Sequence, residues 1–394
     1  MITSNKFLTT QEYRIYPNTE QRELINQTLG CCRFVYNWNL ANAQATYEAW
    51  KLNPDLEKPK ASHNEFSRLL VPLKAEFEWL KNVSAVALQQ SIRNLDTAYQ
   101  RFFNGNAGYP KFKRRSYGSS YKLVGAAFEL FDLDESPKIR LARIPGHFNL
   151  NVNPRVLPKD IKSVIVKRTA TDEYYISLVG LISRPKTNGL KITGVDVGIK
   201  DLFAKSDGIK ITNPKHYVKS QRVLKRTQQT LSRKTKGSNN RHKARLKVAR
   251  THQRIRNQRK DLIHKFTTQL VNENQVIAVE NLNIKGMVKN RNLAKHINSA
   301  GWGEFVRQLE YKAKWSQHCS IVIVNRFYPS SKLCSVCDTK NEQLRLQHRT
   351  WVCGKCKTEH DRDINAAVNL RRVALTTMSY MDLQPGTVVM VTPV

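Results

Sequence analysis

The chain has 394 residues, enough for two or three domains of about 100 to 200 residues each, and its 66 Lys and Arg against 31 Asp and Glu leave a net charge of +35. Such an excess repels itself unless a polyanion is at hand, and a hydrophobic fraction of 40% with 9% aromatic residues excludes a disordered basic tail. No run approaches 18 apolar residues and Met1 to Tyr13 lacks the apolar centre of a signal peptide, so nucleic acid rather than a membrane is the expected partner and a reducing cytoplasm the expected compartment.

Thr10 to Tyr16 reads as a strand halted by Pro17. Asn18 with Gln21 forms a capping-box pattern that opens a long helix carrying Leu24, Leu29, Phe34, Tyr36, Leu40 and Tyr47. Ser62 with Glu65 opens a second helix, and Ser84 a third through Leu88, Ile92, Leu95, Tyr99 and Phe103. Gly105 to Arg115 mixes turn formers, bases and aromatics and reads as a linker able to touch phosphate through Lys111 and Lys113. From Tyr121 to Leu181 the apolar period is two: Ile139 and Leu141; Phe148, Leu150 and Val152; Val164 and Val166; Tyr174, Ile176 and Leu178. These predict short antiparallel strands in a barrel or sandwich, joined by the N-terminal strand, with the helices as an insertion. Pro185 to Gly189 marks a boundary.

Leu190 to Ala204 gives two strands around Gly198, and Gly208 to Thr212 a third. Lys215 to Lys265 then carries 18 Lys and Arg against one acid, Asp261, with leucines near helical spacing and a break at Thr235 to Asn240. The pattern predicts a basic helical hairpin whose role is to neutralise phosphates, Arg222, Lys225, Arg226, Arg245 and Arg250 among them. Val276 to Glu280 is a buried strand ending in a carboxylate, Trp302 to His318 a helix, Ser320 to Val324 a strand, and Asp363 to Val373 a final helix. Residues 374–394 show no clear period and read as a flexible tail.

Two patterns carry chemistry. Cys334-Ser-Val-Cys337 and Cys353-Gly-Lys-Cys356 have the spacing of a four-cysteine zinc ribbon. Four thiolates fill the tetrahedron, so one Zn2+ there is structural; two disulfides or an iron–sulfur cluster are the weaker alternatives. Cys31, Cys32 and Cys319 sit in apolar surroundings and read as small buried hydrophobes. Asp196, Glu280 and Asp363 each stand where a strand ends or a helix begins, between apolar residues that would hold them rigidly. Hard oxygen ligands so placed suit two catalytic Mg2+ ions that activate water and stabilise the leaving oxygen of a phosphodiester. Asp201, Asp207 and Asp361 are spare acids, and Asp361 competes with Asp363 for the third role; small residues behind Asp363, in Asp-Ile-Asn-Ala-Ala, favour it. Gln89, Gln90 and Arg93 share a helix able to enter a groove and read bases. Tyr109, Phe112, Trp302 and Tyr311 are core residues or base-stacking platforms.

The sequence resembles the TnpB family of transposon-encoded proteins, related to type V CRISPR effectors. The resemblance is carried by Tyr13-Arg-Ile-Tyr-Pro17, Gly30 to Trp38, Gly108 to Lys113, Gly194-Val-Asp-Val-Gly198, Val279-Glu-Asn-Leu282, Ala300-Gly-Trp302, Tyr328-Pro-Ser-Ser-Lys332 and Asp361 to Ala367. It implies an α+β multidomain protein. A wedge β-barrel would span 1–17 and 105–187, with a helical recognition domain at 18–104. A RuvC-like, RNase H-like nuclease domain would span 188–328 and 358–373, and a zinc ribbon for target nucleic acid 329–357. It also implies an RNA-guided DNA endonuclease with a guide RNA from the transposon end, double-stranded target DNA and a short flanking motif. The family's catalytic acids fall on Asp196, Glu280 and Asp363. A guide-directed repressor without cleavage and a DNA strand transferase are the competing functions, and a monomer is the expected assembly. Asp338 and Lys357 stand where glycines are common after each cysteine pair, a departure expected to strain the knuckles.

Overall fold

The computed structural model describes residues 6–115, 119–151, 157–183, 189–345 and 347–392, and these divide into two compact units, one within 6–183 and one within 189–392. Val152 and Pro185, expected in a strand and at a boundary, lie outside the described residues.

The first unit opens with β1 (Lys6–Ile15), followed by α1 (Thr19–Leu52), α2 (His63–Arg68), α3 (Leu70–Glu76) and α4 (Ala85–Phe103). The capping box at α1 is complete: Asn18 accepts from the Gln21 N–H, and the Gln21 side chain accepts from the Asn18 N–H. Then come β2 (Ser119–Val124), β3 (Phe128–Phe131), β4 (Lys138–Leu141), β5 (Phe148–Asn149), β6 (Lys159–Arg168) and β7 (Tyr174–Ser183). β1 pairs antiparallel with β7 in a four-stranded sheet ordered β1-β7-β6-β2, while β3, β4 and β5 form a separate sheet. Of the barrel or sandwich expected, the described residues show two sheets with no ladder joining them. Both sheets and the helices share one core, in which Ile25, Leu40, Leu88, Ile92, Leu123, Ile139, Val164 and Ile176 are fully buried. Each such side chain contributes about 1.5–3 kcal/mol, which is how an inserted helical segment is anchored to its host sheets.

The second unit is built on β8 (Lys191–Val197), β9 (Asp201–Lys205) and β10 (Lys210–Thr212), then α5 (His216–Ser232), α6 (Asn239–Glu273), β11 (Asn274–Glu280), α7 (Ile284–Met287), α8 (Arg291–Ala300), α9 (Trp302–Ser316) and β12 (Ser320–Val324). β13 (Thr350–Val352), β14 (Glu359–Asp361), α10 (Arg362–Tyr380) and β15 (Val388–Val391) complete it. The main sheet runs β10-β9-β8-β11-β12-β15, antiparallel up to β8 and parallel beyond it. Alternation along its strands divides two cores. Val195, Ile277, Val279 and Ile321 face α6, α8 and α9, whereas Ile192, Val276, Ala278, Val322 and Val324 face α10.

Two boundaries differ from expectation. The flexible tail is overturned: α10 continues to Tyr380, and Val388–Val391 add a parallel strand beside β12. A four-residue edge strand is too short to announce itself by period. Beyond 357, the end expected for the four-cysteine ribbon, β14 pairs with β13, Trp351 opposite His360, so the hairpin around the second cysteine pair extends to Asp361.

Candidate active site and metal centre

Asp196 and Glu280 are one strand apart. The register that pairs Gly194 with Ala278 and Val195 with Val279 carries on to them, at the carboxyl ends of the parallel strands β8 and β11. By parity both lie on the α10 face, opposite to Val195 and Val279. Asp363, in the first turn of α10, is 8% exposed and completes the group. Burial pushes the Asp196 carboxyl well above the usual range, and the charges of Glu280 and then Asp363 push it further. Burial also raises Glu280, against a hydrogen bond donated to it by the Ser330 hydroxyl. Two neighbouring carboxylates thus repel the charge on Asp196, with Arg362 partly offsetting them, and hard oxygen donors so gathered fit Mg2+. Their oxygens are spread more widely than one tight cage: among the described residues only the four cysteines bring three or more metal-binding atoms within 4.8 Å of one another.

The two competing acids of the Asp361-Arg-Asp363 turn have different jobs. Asp361 is the N-cap of α10: its Oδ1 accepts from the N–H groups of Asp363 and Ile364, both at 3.1 Å. Its Oδ2 accepts from Lys210 Nζ at 2.7 Å. Asp363 is the acid whose charge Asp196 feels. Arg362, Lys210 and Arg349 reach it at 3.4, 3.8 and 3.8 Å.

The loop entering the ribbon ties this cluster together. Ser330, buried, donates to Glu280, while its carbonyl and that of Leu333 accept from Asn365 and Asn369 on α10. Asn365 Oδ1 in turn accepts from the Ser335 N–H at 3.0 Å, one residue past the first zinc-spaced cysteine. Glu280, the ribbon and the helix bearing Asp363 are thereby one hydrogen-bonded assembly. The small residues after Asp363 are the signal visible in the sequence; the two asparagines, spaced i, i+4 on one helix face, are not among the sequence-derived candidates.

All four ribbon cysteines are free thiols whose sulfurs converge, with Cys334 to Cys356 at 3.6 Å and Cys337 to Cys353 at 3.5 Å. A Zn–S bond of about 2.3 Å implies a tetrahedral edge of about 3.8 Å, so the cluster fits Zn2+ and excludes disulfides, whose S–S distance is about 2.05 Å. The Thr339 hydroxyl, 3.3 Å from Cys337, holds that thiol down to about 6, and Thr358 lowers Cys356 likewise. His360 packs at a tilt against Trp351 and puts Nε2 3.1 Å from Cys334, an outer partner the spacing rule did not reveal. The expected strain is present: Asp338 and Lys357 both adopt left-handed backbone, φ 60° and 61°.

The remaining candidates are scattered over surfaces. Gln89 and Arg93 are exposed on one face of α4, with Gln90 partly turned inward. Lys111 is exposed, but Lys113 folds its ammonium over the Tyr36 ring at 3.9 Å, which lowers its pKa by removing it from water. On the hairpin α5–α6, Arg222, Lys225, Arg226 and Arg250 are exposed and Arg245 is half-buried near His242. Trp302 is core; Tyr109 and Phe112 stay exposed, and Tyr311 packs on Trp315. Cys31, Cys32 and Cys319 are buried, their thiols pushed up to about 11, 12 and 12 by that burial.

The chain has relatives among known proteins. The family described as "Probable transposase" matches residues 164–291, a "Cas12f1-like, TNB domain" matches 302–370, and a "Helix-turn-helix domain" matches 8–51. A Streptomyces pristinaespiralis protein named "Putative RNA-guided DNA endonuclease" is 37% identical over 92% of this chain and 89% of its own. The chain belongs to the TnpB family. Another relative, "Putative RNA-guided DNA endonuclease InsQ" of Escherichia coli K12, is 30% identical over 93% of this TnpB chain and 92% of its own. In fold, the TnpB chain resembles the protein in a cryo-EM structure of a Cas12f1-sgRNA-target DNA complex, with TM-score 0.59, 14% identity, and coverage of 93% and 99%. Both are mixed α/β. The segment matching the helix-turn-helix family folds here as β1 and the single long helix α1. Among the described residues no helix is long and apolar enough to cross a membrane.

Proposed function

We propose that this TnpB protein is an RNA-guided DNA endonuclease, in which Asp196, Glu280 and Asp363 hold two Mg2+ ions and the four-cysteine ribbon holds one structural Zn2+. The observation that carries the reading is the convergence of three mutually repelling carboxylates from β8, β11 and α10 on one face of the sheet. Bound Mg2+ supplies a nucleophilic water and neutralises the leaving oxygen of a phosphodiester. The protein's own part is to hold the three acids together, with Ser330 orienting Glu280 and the Arg349 and Arg362 guanidiniums beside Asp363 facing the incoming phosphate. The sheet order, with an antiparallel meander feeding parallel strands, supports an RNase H-like (RuvC-like) reading of the nuclease domain. The first unit would be the wedge with its inserted recognition helices, contacting nucleic acid through Gln89, Gln90, Arg93 and Lys111. The basic hairpin would run along guide RNA or the heteroduplex. A monomer in the prokaryotic cytosol fits these roles.

Support for guided cutting comes from the family's named members. The test is purified protein with its copurifying RNA, a matching duplex and Mg2+. Cut ends that vanish in Asp196→Ala, with guide and target still retained, support the reading. Retention without cutting in the unaltered protein would make it a guided repressor, and joined strands a transferase.

A further inference from the structure

Resting on that active-site reading, we propose that Lys210 is a positioning residue that decides which acid of the Asp361-Arg-Asp363 turn serves the metal. Lys210 lies on β10, at the sheet edge two strands from β8, and its side chain is 25% exposed. Its ammonium contacts Asp361 at 2.7 Å, Asp363 at 3.8 Å and Asp201 at 4.0 Å. The short contact goes to the acid that does not couple to Asp196.

The division of labour follows from lone-pair accounting. A carboxylate has about four acceptor positions. On Asp361 two are taken by backbone N–H groups at Oδ1, and the ammonium takes the outward-facing Oδ2. A charge-assisted bond of 2.7 Å is among the stronger ones available, so Asp361 is committed twice over, as helix cap and as ion-pair partner. Asp363 keeps its oxygens at longer range from every cation around it, 3.4 Å or more, and stays available. Without the lysine, Oδ2 of Asp361 would be left as an oxygen donor two residues from Asp363, and a divalent ion could take either acid. Lys210 breaks that equivalence from another element, tying the start of α10 to the sheet as it does so.

The test uses full-length protein with its guide RNA and reads metal position rather than cleavage. Fe2+ replaces Mg2+, and ascorbate with peroxide cuts the polypeptide wherever the iron is held. Unaltered protein should give fragments ending near residues 196, 280 and 363. In Asp363→Asn the α10 fragment should fall by at least about tenfold, since losing a ligand costs no less than losing an outer-shell partner. Adding Lys210→Met to Asp363→Asn frees Asp361 and should restore that fragment. Adding Lys210→Arg, which keeps the clamp, should not. Lys210→Met alone should keep all fragments. Failure of the double variant to regain scission, regain with arginine as well, or loss of fragments in Lys210→Met alone overturns the proposal. Undiminished scission in Asp363→Asn overturns the active-site reading itself, and the lysine's role with it.

Discussion

Gly194 of β8 and Ala367 of α10 touch backbone to backbone: a Cβ at Gly194 would lie 2.0 Å from the Ala367 carbonyl oxygen and 2.5 Å from the Arg371 nitrogen. Neither neighbour is a movable side chain, so any residue but glycine pushes the helix off the sheet. Asp196 is two residues from this contact and Asp363 one helical turn away. Gly194→Ala should cost about 1–3 kcal/mol by overpacking. It should also lower cleavage far more than this loss of stability explains, because it separates two of the three acids. Thermal melting and cleavage rates on the same preparation check this.

The acid cluster should make the metal-free protein less stable as pH rises. Asp196 and Glu280 have raised pKa values when folded, from ordinary values of 3.8 and 4.5. Above those values the unfolded chain releases its protons while the folded state still holds them, so stability falls with pH until the folded carboxyls also ionise. In chelator, the melting temperature should decline from about pH 4 upward through this window. Asp196→Asn, which removes the charge and keeps the shape, should melt higher than the unaltered protein at neutral pH. Mg2+ should narrow the gap. An Asp196→Asn protein that melts lower in chelator would contradict the electrostatic account.

Much of this arrangement was legible in the sequence, and the reasons are local. Capping at Asn18 and Gln21, the period of two in β4, β6 and β7, the apolar runs of β11 and β12, and the cysteine spacing all depend on residues close together in the chain. Asp196, Glu280 and Asp363 were recognisable because apolar neighbours flank each one. What escaped notice depends on partners far away. Lys210 is an ordinary surface-pattern lysine until β10 brings it to Asp361, and Asn365 and Asn369 look like helix-surface residues until the ribbon's entry loop packs on them. α8 and β15 were missed because one is short and polar-rich and the other is only four residues long.

The knuckles should respond to glycine. Lys357 is exposed and left-handed, a conformation that costs a residue with a Cβ about 1–2 kcal/mol. Lys357→Gly should therefore stabilise the zinc-loaded ribbon by about 1 kcal/mol, seen as slower zinc release to a chromogenic chelator. Asp338 is a poorer choice for this change because it pairs with Arg372.

Removing zinc should silence cutting without any zinc at the reaction. Cys334→Ser or Cys353→Ser would loosen the loop that carries Ser330 and its bonds to Glu280, Asn365 and Asn369. Cleavage should drop by about 10- to 100-fold, the range seen when supporting shells of a metal site are removed. Guide RNA retention should be largely kept. Metal analysis should find about one zinc per unaltered chain.

The hairpin's contribution should be electrostatic. Replacing Arg222, Lys225, Arg226 and Arg250 with Gln should weaken guide RNA binding. It should also flatten the dependence of log affinity on log salt by about 0.7 for each single-strand phosphate that is no longer neutralised. Little effect is expected on the folded core, since all four are exposed. Titrations at several salt concentrations separate this from a loss of shape recognition.

Because Asp196 stands on β8 and Asp363 on a helix that follows the ribbon, the polypeptide is synthesised in an order that delays its own danger. A ribosome assembles the first unit, then the strand with the first acid, then the basic hairpin, and reaches the last acid only afterwards. A nascent or prematurely terminated chain carries the basic hairpin yet lacks the full set of carboxylates proposed to cut. On that proposal, the chain gains its phosphate-neutralising charge before its means of cleavage.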